Sequence, residues 1–212
     1  MNLPRRTLRL AVVPWLAFLH YGGYVVVDAW ARSCSPDALW HTSIALDAQI
    51  PYLPWTWVFY WAAHPFVFVG GSLVLMWLPE KGFRRAVVAL AATALLGDAI
   101  QIAIPARMPW PHPQHPAQAL IHWSSREGDF ATLPSMHVAF STLIASLAFM
   151  AFPSRLVRAL FAAMAAAIAL STLTLREHVV LDVVSGVGLG MLTALWFAHD
   201  PEVAIEPRAP QA

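Results

Sequence analysis

Two short polar segments, far apart in the sequence, hold the residues that could do chemistry. One is Pro134-Ser135-Met136-His137. The other runs from Ser171 to His178, and Asp182 follows four residues later. On a helix, that spacing places His178 and Asp182 on one face, about one turn apart. A carboxylate that accepts a proton from one imidazole nitrogen leaves the other nitrogen free to attack, so the spacing predicts a nucleophilic His178 oriented by Asp182.

A second histidine, His137, would serve as the general acid. Breaking a phosphate ester leaves an alkoxide that must be protonated as the bond breaks. Ser135 and the free backbone N–H groups at a helix start can bind phosphate oxygens, and Arg176 and Arg107 can neutralise their charge. If His178 opens the sixth helix, the positive end of that helix keeps it neutral and attracts phosphate. These residues predict phosphoryl transfer that needs neither a metal nor another cofactor.

The same residues allow structural interpretations. His178 and Asp182 could form a buried polar pair that ties helices together, although ionisable groups inside membrane spans are functional by default. Ser135 could cap its helix. Arg176 and Arg107 could be interfacial anchors whose guanidinium groups reach to water. The catalytic interpretation is preferred because the two histidine segments occur together.

Other polar residues are weaker candidates. Asp98 and Gln101 lie inside the third apolar stretch, where we expect them to hydrogen-bond a neighbouring helix; a role in the active cleft is the alternative. His20 and His64 are expected to face the bundle interior as satisfied polar groups. Three loop histidines could be taken for metal ligands: His112, His115 and His122. A metal site needs further ligands and partners that orient them, so no metal is predicted.

Composition places these residues in a membrane protein. Of the 212 residues, 58% are hydrophobic and only 12% are charged, whereas a soluble domain has about 25% charged residues. A spanning helix needs about 20 largely apolar residues. Six stretches meet that need: 8–27, 55–78, 86–104, 134–152, 156–175 and 178–198. We predict an all-α integral membrane protein, a six-transmembrane-helix bundle that forms a single membrane domain over residues 1–212, with a flexible tail at 201–212.

Charge placement predicts the orientation of the bundle. Counted by alternate loops, one side holds Arg5, Arg6, Arg9, Lys81, Arg84, Arg85, Arg155, Arg158 and Arg208, and the other holds Arg32, Arg107, Arg126 and Arg176. The richer side is expected to be cytoplasmic. Both termini are then cytoplasmic, and the active site faces the periplasm or exterior at the inner (plasma) membrane. The first apolar run exceeds the ~7–15 residues of a signal-peptide core, so a retained helix is preferred over a cleaved signal.

The connecting segments differ in character. Residues 29–54 are expected to form an external loop, and residues 79–85 a short basic turn. The loop at 105–133 is long and rich in proline and histidine, which is typical of a functional or disordered loop. The single cysteine, Cys34, cannot form an internal disulfide. With a net charge of +1 and no basic run outside the membrane-flanking turns, the sequence does not indicate nucleic-acid binding.

Three motifs within residues 47–195 carry a family resemblance: Asp47-Ala48-Gln49-Ile50-Pro51 with Pro54, the segment Pro134 to His137, and Ser171-Thr172 through His178 to Asp182. They resemble the type 2 phosphatidic acid phosphatase superfamily, especially its inositolphosphotransferase-like branch related to fungal inositol phosphorylceramide synthase. The resemblance implies that His178 forms a phosphohistidine, that His137 protonates the leaving group and that Asp182 orients the nucleophile.

Some positions depart from the superfamily pattern. Thr172 stands where an arginine commonly follows the serine of the third motif. Ile100 and Arg107-Met108-Pro109 stand where the first motif pairs a lysine with an Arg-Pro. Arg176 fits the basic residue that the branch usually has two positions before the histidine.

The sequence thus predicts a cleft on the external face that receives a lipid phosphate from the membrane. If water accepts the phosphoryl group, the protein is a lipid phosphatase; if a hydroxyl of inositol, another polyol or a second lipid accepts it, the protein is a phosphotransferase. One alternative is a non-catalytic lipid-binding or transport protein. Another is a vanadate-dependent haloperoxidase, but those enzymes are typically soluble and the six predicted spans argue against it. The lipid, the acceptor and the oligomeric state stay open.

Overall fold

A computed structural model of the chain describes residues 3–108 and 132–199. Seven α-helices lie within these residues: α1 (Leu3–Ser33), α2 (Trp57–Pro65), α3 (Gly71–Trp77), α4 (Glu80–Ala103), α5 (Met136–Ala151), α6 (Arg155–Thr174) and α7 (Val180–Ala198). Two two-residue strands, β1 (Trp40–His41) and β2 (Ala106–Arg107), pair in parallel. The predicted tail at 201–212 and the three loop histidines lie outside the described residues.

Five helical segments are long and apolar enough to cross a membrane: Arg9–Ser33, Pro54–Trp77, Glu80–Ala103, Arg155–Thr174 and Val180–Ala198. The prediction of an all-α membrane protein is confirmed. The remaining apolar helix, α5, has 16 residues. At 1.5 Å per residue it is about 24 Å long, which is less than the roughly 30 Å of a bilayer core. The number of six spans therefore stays a prediction.

The first helix is longer than its apolar stretch. It was predicted over residues 8–27 and extends from Leu3 to Ser33, so the expected loop at 29–54 begins later than predicted. Arg32 and Asp28 explain part of the extension, because Nε of Arg32 lies 2.7 Å from Oδ2 of Asp28 in a pair four residues apart. Such pairs stabilise an exposed helical turn. Hydrophobicity alone does not reveal a helix that continues past its apolar stretch.

The predicted basic turn at 79–85 is also wrong, because α4 already begins at Glu80. The carboxylate of Glu80 occupies the first turn, where the helix dipole favours a negative charge. It pairs with Arg84 at 3.1 Å and with Arg9 of α1 at 3.0 Å. The basic residues of this region therefore lie on the first turns of α4, at the end of the bundle opposite to His137.

A π-helical segment at Phe66–Gly70 joins α2 to α3. It follows Pro65, which has no N–H to donate and whose ring disturbs the preceding turn. The chain absorbs this disturbance by widening the helix and then resumes α-helical geometry at Gly71. Such π-helical turns are frequently found at functional sites.

Glycines let α5 and α7 approach each other closely. A Cβ added at Gly186 would lie 2.6 Å from the carbonyl oxygen of Ser135, and one added at Gly190 would overlap the carbonyl oxygen of Ala139. The two glycines are four residues apart, the spacing that brings helices into close contact in membranes. This packing brings the start of α5 against the start of α7, the two segments that hold the candidate residues.

We predict that Gly186→Ala destabilises the protein, although alanine is the better helix former. The added methyl meets backbone rather than a movable side chain, and overpacking of this kind costs about 1–3 kcal/mol. Gly188→Ala is the matched control, because a Cβ there has no atom within 4 Å. Thermal unfolding in detergent should give a lower midpoint for the first variant only. Equal midpoints would show that α5 and α7 are not held together in this way.

Candidate active site

The sequence predicted a helix that begins at His178, but His178 lies outside the helix. Helix α7 begins at Val180, and His178 lies in the turn before it. Its Nδ1 nevertheless lies 3.3 Å from Oδ2 of Asp182. Because Asp182 occupies the first turn of α7, its carboxylate points back toward the preceding turn, and the contact forms without a helical His178. The arrangement leaves Nε2 of His178 as the nitrogen that can act on a substrate.

The carboxylate of Asp182 is completely buried, with an exposed fraction of 0%. Besides its contact with His178, it accepts hydrogen bonds from the backbone N–H of Val179 at 3.2 Å and from the hydroxyl of Thr42 at 3.3 Å. These donors fix the carboxylate in place. Thr42 follows strand β1 and lies 140 positions away in the sequence, so no local spacing could have identified it.

The start of α7 does not offer the phosphate site that the sequence predicted. The N–H of Val180 donates to Oδ1 of Asp47 at 2.7 Å, and the N–H of Val179 donates to Asp182. Asp47 is buried, and its other oxygen accepts from the N–H of Ile44 at 2.7 Å. These two N–H groups are therefore hydrogen-bonded to protein carboxylates, which a helix N-terminus favours as it favours phosphate. Asp47 entered the sequence analysis only as part of a motif, and its capping role connects the segment before α2 to the site.

The turn that carries His178 is a helix C-cap of defined geometry. The carbonyl oxygen of Thr172 accepts from the N–H groups of Glu177 at 3.0 Å and His178 at 3.1 Å, and the carbonyl of Leu173 accepts from Arg176 at 3.0 Å. This is the pattern of a Schellman motif, which requires a left-handed residue just after the helix and usually has glycine there. The motif fixes the backbone of His178 relative to α6.

Arg176 is the left-handed residue, with φ at 61°. A residue other than glycine pays roughly 1–2 kcal/mol for this conformation. Such strain persists where the surroundings determine it and is common at functional sites. The strained backbone therefore favours a functional role for the half-buried Arg176 side chain over that of a simple interfacial anchor.

Tyr52 lies close to this turn. Its pKa is raised above the ordinary value of a phenol, first by burial and then by the nearby charge of Glu177, while the charge of Arg176 opposes the shift. The phenol therefore stays protonated at neutral pH and remains a hydrogen-bond donor. The neighbouring Leu53 donates its N–H to the carbonyl of Thr174 at 2.9 Å, which anchors this segment to the end of α6.

His137 lies at the start of α5, and its ring is near that of His178. The two ring centroids are 6.2 Å apart. The ring of His137 also contacts Tyr60 at 4.8 Å and His64 at 5.6 Å, both from α2. The structure thus brings the two predicted histidines together, with α2 supporting one of them.

Ser135 precedes α5 and is completely buried. It stands at the N-cap position, but its side chain makes no capping hydrogen bond. Its hydroxyl has no hydrogen-bond partner among the described residues, whereas its N–H donates to the carbonyl of Asp182 at 3.0 Å. Because an unpaired buried hydroxyl costs about 1–3 kcal/mol, this hydroxyl is a suitable partner for a bound anion.

Arg107 lies at the same end of the bundle as the histidines but does not contact them. It is exposed in β2, where it is paired with His41, the residue before Thr42. Within residues 3–108 and 132–199, its side chain forms no hydrogen bond or ion pair. The strand pairing brings Arg107 to the same end of the bundle as Asp182, but does not bring it into contact with the histidines.

Three interior polar residues behave differently from one another. Gln101 donates from Nε2 to the carbonyl of Pro134 at 3.1 Å, which agrees with the expected bond to a neighbouring segment. Asp98 faces α1, where its carboxylate lies so close to Gly23 that a Cβ there would overlap it. His20, expected to be satisfied, has a buried Nδ1 without a hydrogen-bond partner in the described part of the chain, so that expectation is wrong.

Comparison with known proteins agrees with this site. No curated protein matches the chain. A family model described as the PAP2 superfamily matches residues 38–196. The matched range contains Asp47, both histidines, Arg176 and Asp182, and it covers well over half of the 212 residues. The chain therefore belongs to the PAP2 superfamily, the type 2 phosphatidic acid phosphatases and their relatives.

Proposed function

We propose that this protein transfers a phosphoryl group from a membrane lipid phosphate through a phosphohistidine formed on His178. Membership of the superfamily supports an enzyme of the lipid phosphatase or phosphotransferase type. The observation that carries the mechanism is the 3.3 Å contact between Nδ1 of His178 and the buried Asp182, with His137 facing the same ring. These are the groups required for a nucleophile, its orienting partner and a general acid.

In the first half-reaction, Nε2 of His178 attacks phosphorus while Nδ1–H donates to Asp182. The bond from phosphorus to the lipid oxygen breaks as His137 gives its proton to that oxygen. In the second half-reaction, neutral His137 takes a proton from the acceptor hydroxyl, whose oxygen attacks phosphorus. The P–N bond then breaks and both histidines return to their starting states. Each histidine therefore acts twice, and the protons balance without a metal.

The phosphoryl oxygens are bound by Arg176 and Ser135 in this scheme. The guanidinium group supplies charge and a fork of donors suited to phosphate, and the buried Ser135 hydroxyl gains the partner that it lacks. Arg107 is a further candidate, because its strand pairs beside Thr42 at this end of the bundle.

The orientation proposed from loop charges has additional support from the fold. Lys81, Arg84 and Arg85 lie on the first turns of α4, at the opposite end from His137. If these residues face the cytoplasm, both termini are cytoplasmic and the site faces the periplasm or exterior of the inner (plasma) membrane. A lipid phosphate from the outer leaflet would then bind with its hydrocarbon chains still in the bilayer.

The acceptor distinguishes two versions of this function. Water makes the protein a lipid phosphatase. Inositol or another polyol makes it a phosphotransferase that produces a phospholipid or phosphosphingolipid, and the basic residue Arg176 two positions before His178 favours this inositolphosphotransferase-like version.

The test is turnover of a panel of lipid phosphates by detergent-purified protein in EDTA, with and without inositol. We expect release of inorganic phosphate to continue in EDTA, and a new inositol-containing lipid would assign the transferase version. Loss of turnover in EDTA that a divalent metal restores would refute the metal-free mechanism. Lipid binding with no turnover would favour the non-catalytic alternative, and bromide oxidation in the presence of vanadate would favour the haloperoxidase.

A further inference from the structure

An apolar cavity lies below the proposed site, between α1, the π-helical segment and α5. Its volume is about 40 Å³, which is room for roughly three groups the size of a water molecule or a methylene. The lining includes Val13, Ala17, His20, Phe68, Leu75 and Phe140. His20 and Ser72 are the polar residues of the lining and the others are apolar, so the cavity suits the start of a hydrocarbon chain beside a polar contact.

The cavity is next to the catalytic histidine. Phe140, which lines it, is three residues after His137, so the two side chains lie on one face of α5 about one turn apart. The ring of His20 contacts that of Phe140 at 4.8 Å. On the other side, His64 contacts His137 and stacks on Tyr21, the neighbour of His20, with centroids 6.4 Å apart. His20 is therefore placed roughly one helical turn, about 5 Å, further into the bundle than His137.

His20 is the polar residue of this lining that has an unpaired atom, since the hydroxyl of the other, Ser72, donates to the carbonyl of Phe68. Its Nδ1 is buried and has no hydrogen-bond partner within the described residues. A neutral imidazole has one nitrogen that donates and one that accepts, and an unpaired buried group of this kind favours a ligand that supplies the missing hydrogen bond. The cavity continues from His20 to Val13, which is about 10 Å further along α1 at the helical rise.

We propose that His20 binds the ester or amide carbonyl of the lipid substrate and that the cavity receives the first part of the attached chain. In a diacylglycerol or ceramide phosphate, that carbonyl lies roughly 6 Å from phosphorus along an extended chain, which matches the depth of His20 below His137. A polyprenyl phosphate has no polar group at that depth. The inference rests on the proposed function and narrows its substrate class to acyl-linked lipid phosphates.

The test compares phosphatidic acid with its dialkyl ether analogue, which has the same chains but no carbonyl groups. We expect the wild type to prefer the diacyl lipid by about tenfold in kcat/KM, since a site built to hydrogen-bond a substrate rejects an analogue that lacks the group. In His20→Phe, which keeps an aromatic ring but no hydrogen bond, the diacyl-to-dialkyl ratio should fall to about one. His20→Gln should restore part of the preference.

A second variant tests the chain. Ala17→Phe fills the cavity and should raise the KM of a long-chain phosphatidic acid several-fold more than that of a short-chain one. Equal turnover of the diacyl and dialkyl lipids by the wild type, or an unchanged ratio in His20→Phe, would overturn the inference while leaving the proposed function intact. Absence of turnover for every lipid phosphate would instead refute the proposed function, and this inference with it.

Discussion

Replacing His178 with alanine is expected to abolish phosphoryl transfer, with a fall in kcat of at least about 10⁴-fold. The variant removes the nitrogen that would form the P–N bond, and no other described side chain in contact with Asp182 can replace it. Phosphate release from a radiolabelled lipid phosphate, together with trapping of labelled protein, measures both the turnover and the intermediate. Neither should be detectable in the variant.

His199→Ala is the matched control for this substitution. His199 is exposed and follows the last turn of α7, about 29 Å from the start of that helix at 1.5 Å per residue. It should retain wild-type turnover. If His178→Ala and His199→Ala were equally active, the histidine pair would be structural and the phosphohistidine mechanism wrong.

Asp182→Asn separates the charge of the orienting group from its shape. The amide oxygen can still accept from Val179 and His178, and the hydroxyl of Thr42 can turn to accept from the new NH₂ group. The geometry is therefore retained while the negative charge that favours the developing positive charge on His178 is lost. We expect a fall in kcat of about 10²- to 10³-fold, the size seen when one preorganised electrostatic group is removed.

Hydrophobicity revealed the helices of this fold but not their ends. The first apolar stretch ends just before Asp28, and the third begins a short polar segment after Glu80. The observed helices α1 and α4 nevertheless include both acids, because each acid pairs with an arginine four residues later. A hydropathy window detects transfer into lipid. It does not detect ion pairs that extend a helix beyond its apolar stretch.

The sequence predicted which histidines and which aspartate lie together, but it did not predict the turn and the distant residues that position them. The four-residue spacing of His178 and Asp182 anticipated their proximity, but through a helix that begins two residues later than expected. Thr42 and Asp47 could not be found by spacing, since they contact the start of α7 from 140 and 133 positions away. The Schellman turn could not be predicted because its usual sequence signal is a glycine just after the helix, and this chain has Arg176 at that position.

That arginine provides a test in which stability and activity separate. In Arg176→Gly the left-handed backbone at φ 61° no longer strains a side chain, which offsets the greater entropy of glycine in the unfolded chain. The unfolding midpoint should therefore not fall. If the guanidinium binds the phosphoryl oxygens, kcat should nevertheless fall about 10²- to 10³-fold.

Two further variants distinguish the causes of that fall. Arg176→Asn also tolerates the left-handed conformation but has no charge, so it should be as inactive as the glycine variant. Arg176→Lys keeps the charge without the planar fork and should retain intermediate activity. Full activity of the glycine variant would mean that Arg176 serves only the turn. If the glycine and asparagine variants are stable but inactive, the proposed binding of the phosphoryl oxygens by Arg176 explains why an arginine rather than a glycine stands in this turn.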